Sequence, residues 1–104
     1  MGPKTKELVA TLEELIVLLD AEGQDSWSNW MQKSKSWILD SDYSGIEYLL
    51  KAYGGMGSFD DLVLGQTNIN GMFSWKPGYK DLNTKFSTLS EKAFTLANEI
   101  KYSQ

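Results

Sequence analysis

The chain has 104 residues, of which 41% are hydrophobic and 23% charged, with a net charge of −4. That is enough chain for one domain, residues 1–104, with a core that needs no covalent staples. There is no cysteine and no histidine, which excludes disulfides, thiolate nucleophiles, the commonest general base and the commonest metal ligand. All ten basic residues are lysine, so the bidentate fork that usually clamps phosphate is missing. The acidic balance argues against nucleic acid or anionic lipid as a partner and permits a basic protein.

Met1 opens no charged-then-apolar signal peptide, and no apolar run approaches membrane-spanning length. The expected compartment is the cytoplasm. The first helix is expected from Lys4 to about Glu22. Leu8, Leu12, Leu15, Ile16 and Leu19 fall at helical spacing, and Val9, Val17 and Leu18 widen the stripe until much of the helix is enclosed. Thr5 is the expected N-cap and Gly23 the terminator.

A second helix, capped by Asp25 or Ser26, should run to about Leu39. Trp27, Trp30, Met31, Ser34, Trp37 and Ile38 form its stripe, read as core packing rather than as a surface for stacking ligands. Lys33 and Lys35 fall on the wetter side. Asp40-Ser41-Asp42-Tyr43-Ser44-Gly45 looks like the start of a calcium loop, but its twelfth position is Lys51 where a bidentate glutamate belongs. Capping of a third helix is the better account, through the box Ser44-Gly45-Ile46-Glu47 or through Asp42.

The third helix, carrying Ile46, Leu49, Leu50 and Tyr53, ends at Gly54-Gly55-Met56-Gly57-Ser58. Gly54, Gly55, Gly57 and Ser58 are read as a structural turn. Ser58-Phe59-Asp60-Asp61 then fits a capping pattern that starts a short helix or helical turn through Leu64. Phe59, Leu62, Val63 and Leu64 should press it onto the core. Phosphate binding at these glycines is disfavoured, because no lysine follows and Asp60 and Asp61 would occupy the anion position. From Gly65 to Gly78 an ordered loop is expected. Asn70-Gly71 could turn a hairpin, but the flanks do not alternate. The last helix runs from Pro77 or Tyr79 to Tyr102, with a seam of Leu82, Phe86, Leu89, Ala93, Leu96 and Ile100 suited to antiparallel packing. The expected fold is all-α: a compact bundle of four main helices with a glycine-rich turn and a long ordered loop before the last helix.

No residue pattern marks a catalytic site, and no cofactor or metal is expected. Asp20, Glu22, Asp25, Asp40, Asp42, Asp60 and Asp61 fall at helix ends and connections, where some would gather into an acidic surface that speeds capture of a lysine- or arginine-rich protein. Asp42-Tyr43-Ser44-Gly45-Ile46, followed by Tyr53 and the run from Gly54 to Leu64, resembles a small bacterial domain family of unknown activity. Its hallmark is a G-G-M-G-S-[FL]-[ND]-D motif between helices. The leucine-rich first helix and tryptophan-bearing second helix are also similar, so the likeness covers about two-thirds of the chain. Some members of that family resemble the cytoplasmic immunity proteins that accompany polymorphic toxins. The resemblance implies a non-enzymatic protein, monomer or weak dimer, that covers the active site of a cognate toxin, for example a basic nuclease. Asp40, Asp42, Asp60, Asp61, Phe73 and Trp75 are the candidate contact residues. A small carboxylate- or metal-dependent enzyme or regulator built on Asp60 and Asp61, and a dimerisation module built on the last helix, are the competing readings.

Overall fold

A computed structural model of the chain describes residues 2–54 and 57–103. Four helices are present: α1 (Pro3–Ala21), α2 (Asp25–Leu39), α3 (Ser44–Leu50) and α4 (Tyr79–Tyr102). Between α3 and α4 lie a 3₁₀ turn (Phe59–Asp61) and two strands, β1 (Gln66–Ile69) and β2 (Met72–Trp75). The strands pair antiparallel, Gln66 opposite Trp75 and Ile69 opposite Met72. The all-α expectation is therefore corrected, and the segment expected to be a loop is a hairpin. Asn70 and Gly71 turn it with φ of 55° and 78°, the pair of positive angles that a two-residue hairpin turn requires.

The reason the strands were hidden is physical. Alternation betrays a strand when one of its faces is buried. Here β2 is exposed at every position and β1 at all but Thr67. No core imposes a pattern on them.

The core belongs to the helices. Leu8, Leu12, Leu15 and Leu19 of α1 are wholly buried, as are Met31 of α2 and Leu49 of α3. Each such side chain contributes about 1.5–3 kcal/mol by leaving water. From α4 the seam delivers Phe86, Leu89, Ala93, Leu96 and Ile100, with Ala97 beside them. Val17 does not widen the α1 stripe; it faces solvent. Of the three α2 tryptophans, Trp27 and Trp30 pack on the core's edge and Trp37 is half-buried. Tyr48 of α3 stacks on Trp30 with centroids 4.5 Å apart, and its backbone carbonyl accepts the Trp30 indole N–H at 3.0 Å. Lys33 turns back over this cluster, its Nζ 4.9 Å from the Trp37 ring centroid.

α2 and α3 approach so closely that Gly45 is obligatory. A β-carbon there would lie 2.8 Å from the Ser34 carbonyl oxygen. Ser34 matches it from the other side, a small buried residue whose hydroxyl has no hydrogen-bond partner among the described residues.

Helix ends differ in detail from the expectation. Pro3 opens α1, placing Gly2 rather than Thr5 at the N-cap. Gln24 occupies that position before α2, with Asp25 in the first turn. At α3 the serine box does not form. Nor is Asp42 the cap: Tyr43 holds the N-cap position without a side-chain cap bond, and Asp42, one residue before it, accepts the Ser44 N–H at 2.9 Å.

Candidate functional site

The chain leaves α3 through the glycine corner. Gly54 and Gly57 both sit in left-handed backbone, with φ of 88° and 75°, a conformation that glycine adopts without steric cost. Gly55, the third glycine of the expected turn, lies outside the described residues. The Phe59 N–H returns to the Ala52 carbonyl at 2.8 Å and closes the corner against the end of α3. Phe59 then fills the core, with its ring between 5.1 and 5.7 Å from those of Trp27, Tyr53 and Phe86. The following residues divide. Leu64 is buried and Leu62 half-buried, but Val63 is 50% exposed rather than pressed inward.

The acidic residues of the corner point outward. The Ser58 hydroxyl donates to the Asp60 carboxylate. Mainly through that bond, the Asp60 carboxyl is held below the usual carboxylate range, and the group is ionised at neutral pH. Asp61 accepts the Gly57 N–H at 3.1 Å, closing the turn one residue earlier than a serine capping box would.

Asn83 of α4 anchors the segment that follows. Its side chain accepts the Leu64 N–H and donates to the Leu64 carbonyl, each at 2.8 Å, and it also bonds the Tyr79 carbonyl. Sequence reasoning missed this residue, because an asparagine inside a long helix carries no signal of a distant backbone partner. The hairpin is held at its base. The Lys76 N–H reaches the Gly65 carbonyl at 2.7 Å. The Lys76 ammonium meets the half-buried Glu22 at 2.7 Å, and Trp75 stacks on Tyr79 at 4.6 Å.

Beyond that base the hairpin is solvent-bound and apolar. Phe73 is 75% exposed, Met72 74%, Ile69 68% and Trp75 47%. From Gln66 to Trp75 there is no charged residue. Free sheet edges normally carry charge, proline or a bulge to discourage pairing. The register puts Phe73 and Trp75 on one face of the ribbon and Met72 and Ile69 on the other.

Trp75 and Tyr79 share a groove with Asp60, Asp61 and Val63. Asp60 also borders a second hollow with Glu91 and Phe94 one turn further along α4. Asp60, Asp61, Phe73 and Trp75 therefore belong to one continuous side of the molecule, to which Val63, Glu91 and Phe94 are added. Asp40 and Asp42 belong elsewhere. Asp42 borders a hollow with Thr5 and Ile100, at the far end of α4. Asp60 lies against the middle of α4, beside Ser87 and Glu91, about 15–20 Å of helix from Ile100, so the six candidate residues form two separate groups. Among the described residues, no three acidic side chains converge in a way that could hold a metal ion. Nor, among them, is any helix long and apolar enough to cross a membrane.

Fold and surface together define a small four-helix domain with an uncharged apolar hairpin set beside carboxylates. The chain belongs to the family described as Domain of unknown function (DUF6966), which matches residues 20–71. That match takes in α2, α3, the glycine corner and β1, and stops at the hairpin turn. Neither a curated protein nor a solved structure matches the chain.

Proposed function

We propose that this protein is a non-catalytic cytoplasmic immunity protein that binds a cognate bacterial toxin and neutralises it by covering a basic active site, such as that of a nuclease. The observation that carries the reading is the hairpin. Its large apolar side chains contribute little to the core, and Asp60, Asp61 and Lys80 line the groove beside Trp75. Apolar anchors within a charged rim are the usual composition of a protein interface. The carboxylates supply the field that steers a basic partner. The resemblance of the glycine-corner motif to a family with immunity-like members supports the same class. The contact surface centres on Asp60, Asp61, Phe73 and Trp75, and leaves Asp40 and Asp42 outside it.

Neither competing reading gains comparable support. The seam of α4 that a dimerisation module would use is buried within the chain. Asp60 and Asp61 bond within their own turn rather than converging on a common point.

The test is capture of the protein encoded immediately upstream. Micromolar or tighter binding is expected, with an on-rate that falls steeply as salt rises. Replacing Phe73 and Trp75 by serine should abolish capture while the helical content is retained. No binding at micromolar concentration would overturn the proposal.

A further inference from the structure

Where the end of α3 meets the middle of α4, the surface opens into a cavity of about 400 Å³. That size suits a small ligand or a long side chain. Leu50 and the rings of Tyr53 and Phe94 line it, the ring centroids 4.8 Å apart and tilted by 53°. Asp60 enters from the glycine corner and Glu91 from α4. Phe94 is 41% exposed although its helix supplies the core on the opposite side.

The polar groups here are committed in an informative way. The Tyr53 hydroxyl donates to the Ser90 carbonyl at 2.8 Å, so the tyrosine offers the cavity its ring. Asp60 and Glu91 make no ion pair among the described residues, whereas Glu7, Glu13, Glu22 and Glu99 each have a lysine. Two aromatic rings and two carboxylates without cations suit a flat cation on an apolar stem. A guanidinium stacks on rings and pairs with carboxylates through its planar fork. An ammonium is more strongly hydrated and has no flat face. A neutral apolar group would desolvate the carboxylates without return.

We propose that the cavity between α3 and α4 binds an arginine side chain of the partner, its guanidinium met by Asp60 and Glu91 and its stem lying over Tyr53 and Phe94. The inhibitor reading above is needed only to say whose arginine it is. The chemistry of the cavity stands without it.

The experiment titrates N-acetyl-arginine-N-methylamide into the whole protein and follows the aromatic signals of Tyr53 and Phe94 by NMR. Saturable shifts in the millimolar range are expected. The neutral isostere, N-acetyl-citrulline-N-methylamide, should bind at least about tenfold more weakly, as removal of a charge-assisted pair implies. Glu91→Gln and Phe94→Ala, both at exposed positions of α4, should each weaken the arginine probe several-fold and leave the amide spectrum of the core unchanged. The absence of saturable shifts at these two rings, or equal shifts from the citrulline probe, would overturn the proposal. Tighter binding of agmatine than of the arginine probe would overturn a partner protein as the source. The two proposals fail separately. Probe binding without capture of any partner sinks the inhibitor reading alone. Capture that neither variant weakens, with no probe binding, sinks the arginine site alone.

Discussion

The helices and the hairpin use the same kinds of side chain in opposite ways. Phe59 and Phe86 are enclosed and in edge contact with each other; Phe73 stands in water on a ribbon held only at its base. Met31 is buried between helices, and Met72 is exposed. A large apolar residue stabilises a fold only where folding removes it from water. The bundle thus accounts for its own hydrophobic residues, and the hairpin's are left facing water. Burial and exposure of large apolar residues are assigned to different stretches of one short chain.

The strongest challenge to that division is at Phe59. Phe59→Ala should cost about 3–5 kcal/mol, the usual range for emptying a phenylalanine site in a packed core. Chemical denaturation would measure it. A loss below about 1 kcal/mol would mean that the glycine corner is not joined to the bundle as described.

Tyr53 sharpens the boundary between the two regions. Burial, partly offset by the Ser90 hydroxyl and reinforced by Asp60, pushes its phenol from 10.0 up to about 12. The folded protein holds this proton more tightly than the unfolded chain does. The resulting stability is intact below pH 10 and is lost as pH rises through about 12. Across that window the wild type should lose up to about 2–3 kcal/mol more than Tyr53→Phe. A stability difference between the two proteins that stays flat through the window would contradict a buried phenol.

Asn83 tests how the hairpin's approach is secured. Asn83→Ala strands both backbone groups of buried Leu64 and should cost about 1–2 kcal/mol. Hydrogen exchange should report faster opening at Leu64 than at Leu12. Equal protection before and after the change would show that another contact holds the segment.

The smallest effect belongs to the hairpin itself. Met72→Ser combined with Phe73→Ser should alter thermal stability by no more than about 0.5 kcal/mol, as expected for exposed positions. A loss above about 2 kcal/mol would break the comparison and place these residues against the fold.

What the amino-acid pattern revealed follows the same line. The leucines of α1 and the seam of α4 repeat with helical period because both helices bury one side, and their extents were legible to within a residue or two. Gly23 and the glycine corner were legible as breaks. The 3₁₀ turn was anticipated in place, though Val63 faces outward. The strands were not legible, since residues without a buried face leave no periodic trace. The grouping of the candidate residues was only partly legible. Acid at helix ends is visible in the chain, but which end each acid occupies is set by packing. That is why Asp42 and Asp60, eighteen positions apart, finish against different stretches of α4, Asp42 beside Ile100 and Asp60 beside Ser87 and Glu91. Glu91 and Phe94 gave no local sign, because one is an ordinary acid on a helix and the other directly follows the seam residue Ala93.

The uncharged ribbon has a cost in the test tube. Two strands have two outer rims, each a row of backbone donors and acceptors to which another copy can add. Concentrated stocks should lose soluble protein to growing fibres. Asn68→Lys, which places a like charge on every incoming copy, should slow that loss.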